Sequence, residues 1–350
     1  MRNNPRTGFL VLAATILAGC GESGPEGTTS SSGQGGCVIA YVALDETFSR
    51  PVLKQYEEEI GVEIVPKYDV ESTKTVGLTN LILQEARRPR CDLFWNNEIL
   101  NTLRLKRAGL LRPFQPAHAD AIPDMYKAKD GTWYGFASRA RVLIINTERM
   151  PDENDWPRSI LDLTDPKYKG QFAIAKPLFG TTATHAACLF AEWGDEKARQ
   201  YFLDVKANDP AILSGNMQVA IEVANGRLAF GMTDTDDVMV MLSQGSPVAM
   251  VYPDREPDQI GTLFIPNTIG LIKGSPHPEA AEALASHLLS PEVEAALAEG
   301  PGAQIPILET TEASAQVETP RTVHPMTVDF EAAAALWDEV AEFIASEFAS

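Results

Sequence analysis

The chain is short of basic residues, with 29 Lys and Arg against 48 Asp and Glu in 350 positions and a formal net charge of −19 at pH 7. Nucleic acid and anionic lipid surfaces are gripped by clustered Lys and Arg, so this balance argues against both as partners. Histidine is scarce as well: the five are scattered singly, and none stands in an H-E-x-x-H array. The four cysteines form no C-x-x-C pair, and there is neither a G-x-S-x-G elbow nor a G-x-x-x-x-G-K-[ST] loop. Nothing in these absences leaves room for a familiar hydrolase or nucleotide-cleaving motif. No internal run approaches the ~20 apolar residues of a membrane-spanning helix. What is present, 44% hydrophobic and 22% charged residues, suits a globular body of one large or two smaller domains.

The one apolar stretch lies at the start. Arg2 and Arg6 precede an apolar segment over residues 9–17, and Leu17-Ala18-Gly19-Cys20 closes it. That pattern reads as an export signal over residues 1–19, with Cys20 as the lipid acceptor of a bacterial lipobox. Residues 20–36, rich in Gly and Ser, read as a flexible linker. The expectation is a lipid-anchored protein on the outer side of a membrane. In such an oxidising compartment a disulfide is allowed. Cys37 and Cys91 open two apolar runs, CVIAYV and CDLFW, and they are expected to pair if those runs are neighbouring parallel strands. Cys188 falls in an apolar helical pattern and reads as a core thiol.

After the linker, strand and helix patterns alternate: strands at 37–43, 62–68 and 93–95, helices at 46–59, 73–88 and 98–108. This order predicts an α/β fold with a parallel, doubly wound sheet, whose ligands sit at the carboxyl ends of its strands. Those ends carry Asp45-Glu46, residues 69–73 and Asn96-Asn97-Glu98. Residues 133–147 (WYGFASRARVLIINT) and 262–273 (TLFIPNTIGLIK) read as long strands crossing between domains. Further strands are expected at 171–175 and 228–231, helices from Thr181 and near Gln200, and closing helices at 278–289, 291–298 and 329–348.

Three constellations carry chemistry. The run Thr233-Asp234-Thr235-Asp236-Asp237 follows an apolar strand and offers hard oxygen donors to a cation or an amine; the same residue types also cap helices. Phe179-Gly180-Thr181-Thr182 opens a helix, where hydroxyls and unpaired amides suit an anion. Arg139 and Arg141 alternate along the first crossing strand and so share a face, fit to clamp an anion or to pair with a carboxylate. Trp95, Trp133 and His185 read as packing residues.

Several segments together resemble the extracellular solute-binding proteins of ABC importers, in particular the ferric-iron-binding group. They are YVALDETFSRPVL (41–53), DVESTKTVGLTNLILQE (69–85), CDLFWNNEILNTLRLKRAGLL (91–111), WYGFASRARVLIINT (133–147), PLFGTTATHAA (177–187), LSGNMQVAIEVANGRLAFGMTDTDD (213–237) and GTLFIPNTIGLIKGSPHPEAAEALASHLLSPEVEAALA (261–298). The resemblance implies two lobes (37–138 with 262–308, and 139–261 with 309–350) joined by crossing strands, a ligand in the cleft between them, and no catalysis. It places Asp45 and Asn97 or Glu98 where ferric relatives carry metal ligands, and Arg139 with Gly180-Thr181-Thr182 where they hold a partner anion. It departs at Asp234-Thr235, which occupies the strand end where ferric relatives use adjacent tyrosines.

The expected ligand contacts are therefore Asp45, Glu46, Asn97, Glu98, Arg139, Arg141, Gly180, Thr181, Thr182, Asp234, Thr235 and Asp236. Asp45, Glu98, Asp234 and Asp236 form the metal set. The expected function is capture of a ferric-type ion with an anion for delivery to an inner-membrane ABC permease. A small zwitterion such as an aminoalkyl phosphonate is the alternative, and a secreted metal-dependent hydrolase is a second. A monomer is expected, with no cofactor beyond a metal carried as cargo.

Overall fold

In a computed structural model of the chain the described residues are 37–69, 76–313 and 315–348. The export signal, Cys20, the linker and most of the 69–73 turn lie outside them. The run CVIAYV forms β1 (Cys37–Val42), and EIVPKY (β2, Glu63–Tyr68) and LFWN (β3, Leu93–Asn96) lie parallel on either side of it. Parallel neighbours need crossovers, here helices α1 (Glu46–Ile60) and α2 (Val76–Gln84). Helix α1 turns Phe48, Val52, Leu53 and Tyr56 inward. It stops at Gly61, whose left-handed φ of 72° lets its N–H return to Glu57 O. Because β1 and β3 run the same way, the residues after them, Asp45 and Asn97, arrive at one edge of the sheet. Helix α3 (Leu100–Arg107) and the short β4 (Leu111–Arg112) follow.

The 133–147 segment is the crossing strand β5 (Trp133–Asn146), buried along its whole length. After it come β6 (Phe172–Ala175), α4 (Gly180–Trp193), α5 (Asp195–Ala207), β7 (Ala211–Leu213), α6 (Asn216–Ala224), β8 (Phe230–Asp234), α7 (Thr235–Ser243), β9 (Val248–Val251) and β10 (Phe264–Ile272). The first half of β5 pairs antiparallel with β10, the second half with β8 and β9. The change of partner falls between Ala140, opposite Phe264, and Arg141, opposite Asp234. The strand order β2-β1-β3-β10-β5-β8-β6-β7 is thus two half-sheets sharing β5. Side chains alternate along the shared strand: Leu143 and Ile145 join the larger core, Val142 and Ile144 the smaller one with Val219, Val223 and Met241.

Helices α8 (Pro278–Leu288) and α9 (Pro291–Glu299) start on prolines that need no amide partner there. The buried carboxylate of Glu294 then ties the crossing together, accepting from the N–H groups of Ala137, Ile307 and Leu308 at 2.7–2.9 Å. Beside it Ser138 and Ile305 exchange both backbone hydrogen bonds. Helix α10 (Phe330–Phe343) packs on α4 and on α3, so it spans both halves.

Two expectations are corrected. Cys37 and Cys91 are free thiols. The β1/β3 register sets Ala40 against Leu93, which carries Cys91 to the level of Val38 and leaves Cys37 alternating onto the opposite face. The strand expected at 228–231 instead runs to Asp234, so Thr233 and Asp234 belong to β8 rather than to a turn after it. Cys188 is buried, and burial raises its thiol pKa, as a core residue would show.

Candidate functional site

A cleft opens where the carboxyl ends of β1, β3, β6 and β8 converge. The first half-sheet contributes Asp45 and Asn97, β5 contributes Arg139, and the second half contributes Lys176, Phe179, Gly180 and Thr181. Ser214, Gly215 and Asn216 close it from α6, and Asp234, Asp236 and Asp237 from the β8–α7 junction. The cleft encloses about 430 Å³ of empty volume, part of it open to solvent.

Three helices begin at this cleft. Helix α4 starts at Gly180, whose φ of 56° turns the chain sharply out of the Lys176–Phe179 loop. Its N-cap is Phe179, and that of α6 is Gly215; neither offers a side-chain cap. The first amides of both helices are therefore left for whatever enters the cleft. Lys176 stands at the same rim. Helix α7 follows Asp234 directly.

The acidic cluster is internally compensated. Asp234, Asp236 and Asp237 each place an oxygen within 4.8 Å of the others. Asp234 is held by Arg141 Nη1 at 2.6 Å, by the Thr181 hydroxyl at 2.5 Å and by Asn216 Nδ2 at 3.0 Å. Asp236 lies 3.4 Å from Arg139 Nε and accepts from Gln304 Nε2 at 3.1 Å. Asp237 accepts the Thr233 hydroxyl at 2.7 Å. Burial works against the charge of Arg139, but Asp236, then Asp234, Asp45 and Asp237, carry its pKa above the ordinary arginine range. On the same edge, Arg139 Nη2 donates to Asn267 Oδ1 at 3.2 Å, and Asn267 Nδ2 in turn donates to Gln304 Oε1 at 2.7 Å. A closed ring of Arg139, Asp236, Gln304 and Asn267 thus fixes the guanidinium at the cleft wall.

Of the residues expected from the sequence, Asp45, Asn97, Arg139, Gly180, Thr181, Asp234 and Asp236 meet in this cleft. Five do not line it. Glu46 is exposed and pairs with Arg50 one turn along α1. Glu98 is fully buried, and its carboxylate is used by Leu100 N, Asn101 N, Asn96 Nδ2 and the Thr184 hydroxyl, so it caps α3 instead of offering a metal ligand. Arg141 lies behind Asp234, opposite it in the β5/β8 register. Thr182 donates to Asn216 Oδ1, and Thr235 receives the Ala140 N–H. The compact acidic group is accordingly Asp234, Asp236 and Asp237, not the expected set with Asp45 and Glu98. Sequence reasoning missed Lys176, Ser214 and Asn216, and named Asp237 in the acidic run without placing it among the expected contacts. Gly215-Asn216 is a turn signal in the sequence, although a small residue before the amphipathic run MQVAIEVA is also a helix-start signal. Trp95, Trp133 and His185 are buried, as expected for packing residues.

Residues 96–334 match the protein family described as bacterial extracellular solute-binding protein. Iron uptake protein A1 of Synechocystis sp. is 22% identical over 300 residues, covering 83% of this chain and 81% of that protein. Iron-bound HitA from Pseudomonas aeruginosa superposes with a TM-score of 0.79 at 21% identity, covering 88% of this chain and 99% of that one. AfuA from Actinobacillus pleuropneumoniae, with fructose-6-phosphate bound, gives the same TM-score at 22% identity, covering 90% and 99%.

Proposed function

Because the chain belongs to the bacterial extracellular solute-binding proteins, a transport family and not an enzyme family, we propose that its solute is a small molecule bearing a phosphoryl or phosphonyl group and a hydrogen-bond-donating far end. The observation that carries this reading is the pair of helix N-termini, α4 and α6, that reach the cleft without side-chain caps beside Lys176 and Arg139. A tetrahedral oxyanion can accept from both sets of amides and both cations at once. The far end meets Asp45 and the side-chain carbonyl of Asn97, whose buried Oδ1 has no hydrogen-bond partner among the described residues. An ammonium or a hydroxyl satisfies it. AfuA, of the same fold, was solved with a sugar phosphate. Delivery to an ABC permease, export and attachment through Cys20 complete the proposal. So does a division of the chain into lobes of 37–138 with 262–308 and 139–261 with 309–350, closing over the solute.

A ferric-type ion with a partner anion is the second reading, favoured by the Asp234–Asp236–Asp237 group and by the iron-uptake relative. Against it, Arg139 and Arg141 stand on those carboxylates, and among the described residues no tyrosine lines the cleft. A thermal-shift and calorimetric panel separates the two. Inorganic phosphate, 2-aminoethylphosphonate and hexose phosphates are set against ferric citrate, ferrous and manganese ions. A solute at 100 times its Kd adds about 2.7 kcal/mol of stability. Stabilisation by the metals with none by any phosphoryl compound would overturn the first reading.

A further inference from the structure

Asn216 is the first residue of α6 and lines the cleft, yet its side-chain amide is spent inside the cleft wall. Its Oδ1 accepts from the Thr182 hydroxyl at 2.9 Å and from Arg141 Nη1 at 3.2 Å. Its Nδ2 donates to Thr181 Oγ1 at 2.7 Å and to Asp234 Oδ2 at 3.0 Å. An amide has two acceptor sites and two N–H bonds, so its whole capacity is in use. The network also fixes which end is which, because a guanidinium only donates and a carboxylate only accepts. Thr181 and Thr182 stand in the first turn of α4. Asn216 thus ties the start of α6 to the start of α4, the two helix N-termini that reach the cleft without side-chain caps. The acidic group does not depend on this tie: Thr181 also donates to Asp234 at 2.5 Å, and Arg141 holds Asp234 directly. Val219, Ala220 and Val223 anchor the body of α6 in the smaller core, and Asn216 fixes its first turn.

We propose that Asn216 is a positioning residue that locks the two helix N-termini into one cradle, through which the cleft selects a tetrahedral oxyanion over a planar carboxylate. The inference rests on the oxyanion reading of the cleft. A phosphonyl group spreads three oxygens out of any one plane and can accept from both helix ends at once, whereas the two oxygens of a carboxylate share a plane. The third oxygen gains its bonds only while the two helix ends keep their spacing, and such sites need their groups held to within about 0.5 Å. Asn216 acts through the helices and spends no side-chain bond on the solute.

Calorimetry on the full chain sets 2-aminoethylphosphonate against β-alanine, which carries a carboxylate on the same amine, and inorganic phosphate against acetate. Asn216→Ala should weaken the tetrahedral member of each pair about tenfold and the carboxylate by less than about threefold, so that the ratio between them narrows. A general loosening of the fold would weaken both and leave the ratio alone. Thr182→Val separates positioning from contact, since Thr182 is buried, does not line the cleft and meets Asn216 through the hydroxyl that valine lacks. It should narrow the ratio in the same direction, and the double variant should do no more than Asn216→Ala alone. Should Asn216→Ala fail to fold, Thr182→Val carries the test by itself. An unchanged ratio in Asn216→Ala overturns the inference by denying the cradle. A Thr182→Val protein that binds as the wild type does overturns it by making Asn216 a direct contact of the solute. A wild type that takes up neither 2-aminoethylphosphonate nor phosphate removes the oxyanion reading itself, and the inference with it.

Discussion

Arg139 is the residue whose removal tests the charge logic of the cleft most directly. It is 2% exposed, lies 3.4 Å from Asp236, and is surrounded by Asp234, Asp45 and Asp237 as well. Arg139→Met leaves those carboxylates buried with one cation fewer, and breaking a buried pair from one side costs about 3–5 kcal/mol. Against a total stability of about 5–15 kcal/mol that is a large loss, visible as a lower midpoint in urea at unchanged m-value. Affinity for an oxyanion falls at the same time. Truncating one partner of a buried charged contact costs about 2–5 kcal/mol, or roughly 30-fold and upward in Kd. Adding Asp236→Asn removes the uncompensated charge while keeping an acceptor for Gln304. The double variant therefore regains stability but not oxyanion affinity. For a cationic cargo the sign reverses, because Arg139→Met removes a repulsion and metal affinity rises. Calorimetry of the wild type and both variants with 2-aminoethylphosphonate and with ferric citrate reads both signs. An oxyanion affinity that survives in the double variant, or a metal affinity that falls with the single one, would refute the reasoning.

Glu98→Ala should cost about 3 kcal/mol in a denaturant melt, since it orphans two helix amides and takes an acceptor from Asn96 Nδ2 and the Thr184 hydroxyl inside the protein. Its effect on solute affinity should stay within tenfold, and a larger loss would return Glu98 to the ligand set. Gly231→Ala on β8 would bring a Cβ to 2.5 Å from Val219 Cγ1 and 2.9 Å from the Ala173 carbonyl oxygen, an overpacking worth about 1–3 kcal/mol; an unchanged melting temperature would contradict the packing described. His185 is held neutral by burial and by the nearby Arg141, its pKa lowered from the ordinary histidine value of 6.5 to about 3. The unfolded chain takes up that proton below pH 6.5 while the folded chain does not, so stability falls as pH drops towards 3, by about 1.4 kcal/mol per unit from this group. His185→Leu should flatten the slope between pH 6.5 and 5 by that amount, and parallel slopes in the two proteins would show that the imidazole is protonated in the folded state.

Local pattern carried a large part of this structure. The parallel β1–β3 core, the two crossing strands and the glycine stop at Gly61 each follow from periodicity and from residues within a few positions. Asp45 and Asn97 were legible for a similar reason: a parallel strand delivers whatever follows it to the ligand edge, and each strand end could be read on its own. Arrangements that depend on meeting a distant segment were not legible. The disulfide expected between Cys37 and Cys91 required only that two strands be neighbours, and they are, but the register by one residue sends the thiols to opposite faces. Glu98 carried the right charge at the right strand end, and was lost to the cleft because the helix starting two residues later needed its carboxylate.

The arginines show how far such a long-range fact can move the functional conclusion. Alternation put Arg139 and Arg141 on one face of β5, and the acidic run at 234–237 looked like a cation site in want of a metal. The β5/β8 register seats Arg141 directly across from Asp234, and Arg139, two residues earlier on β5, meets Asp236 in the first turn of α7. Two of the three carboxylates in the acidic group thus have their counter-charge supplied by the fold itself. A cation entering the cleft would have to compete with guanidinium groups that cannot deprotonate, whereas an oxyanion finds Lys176, the cleft-lining Arg139 and two helix N-termini there. The same carboxylates that suggest a metal when read along the chain become, once paired across it, the scaffold that aims positive charge at the solute.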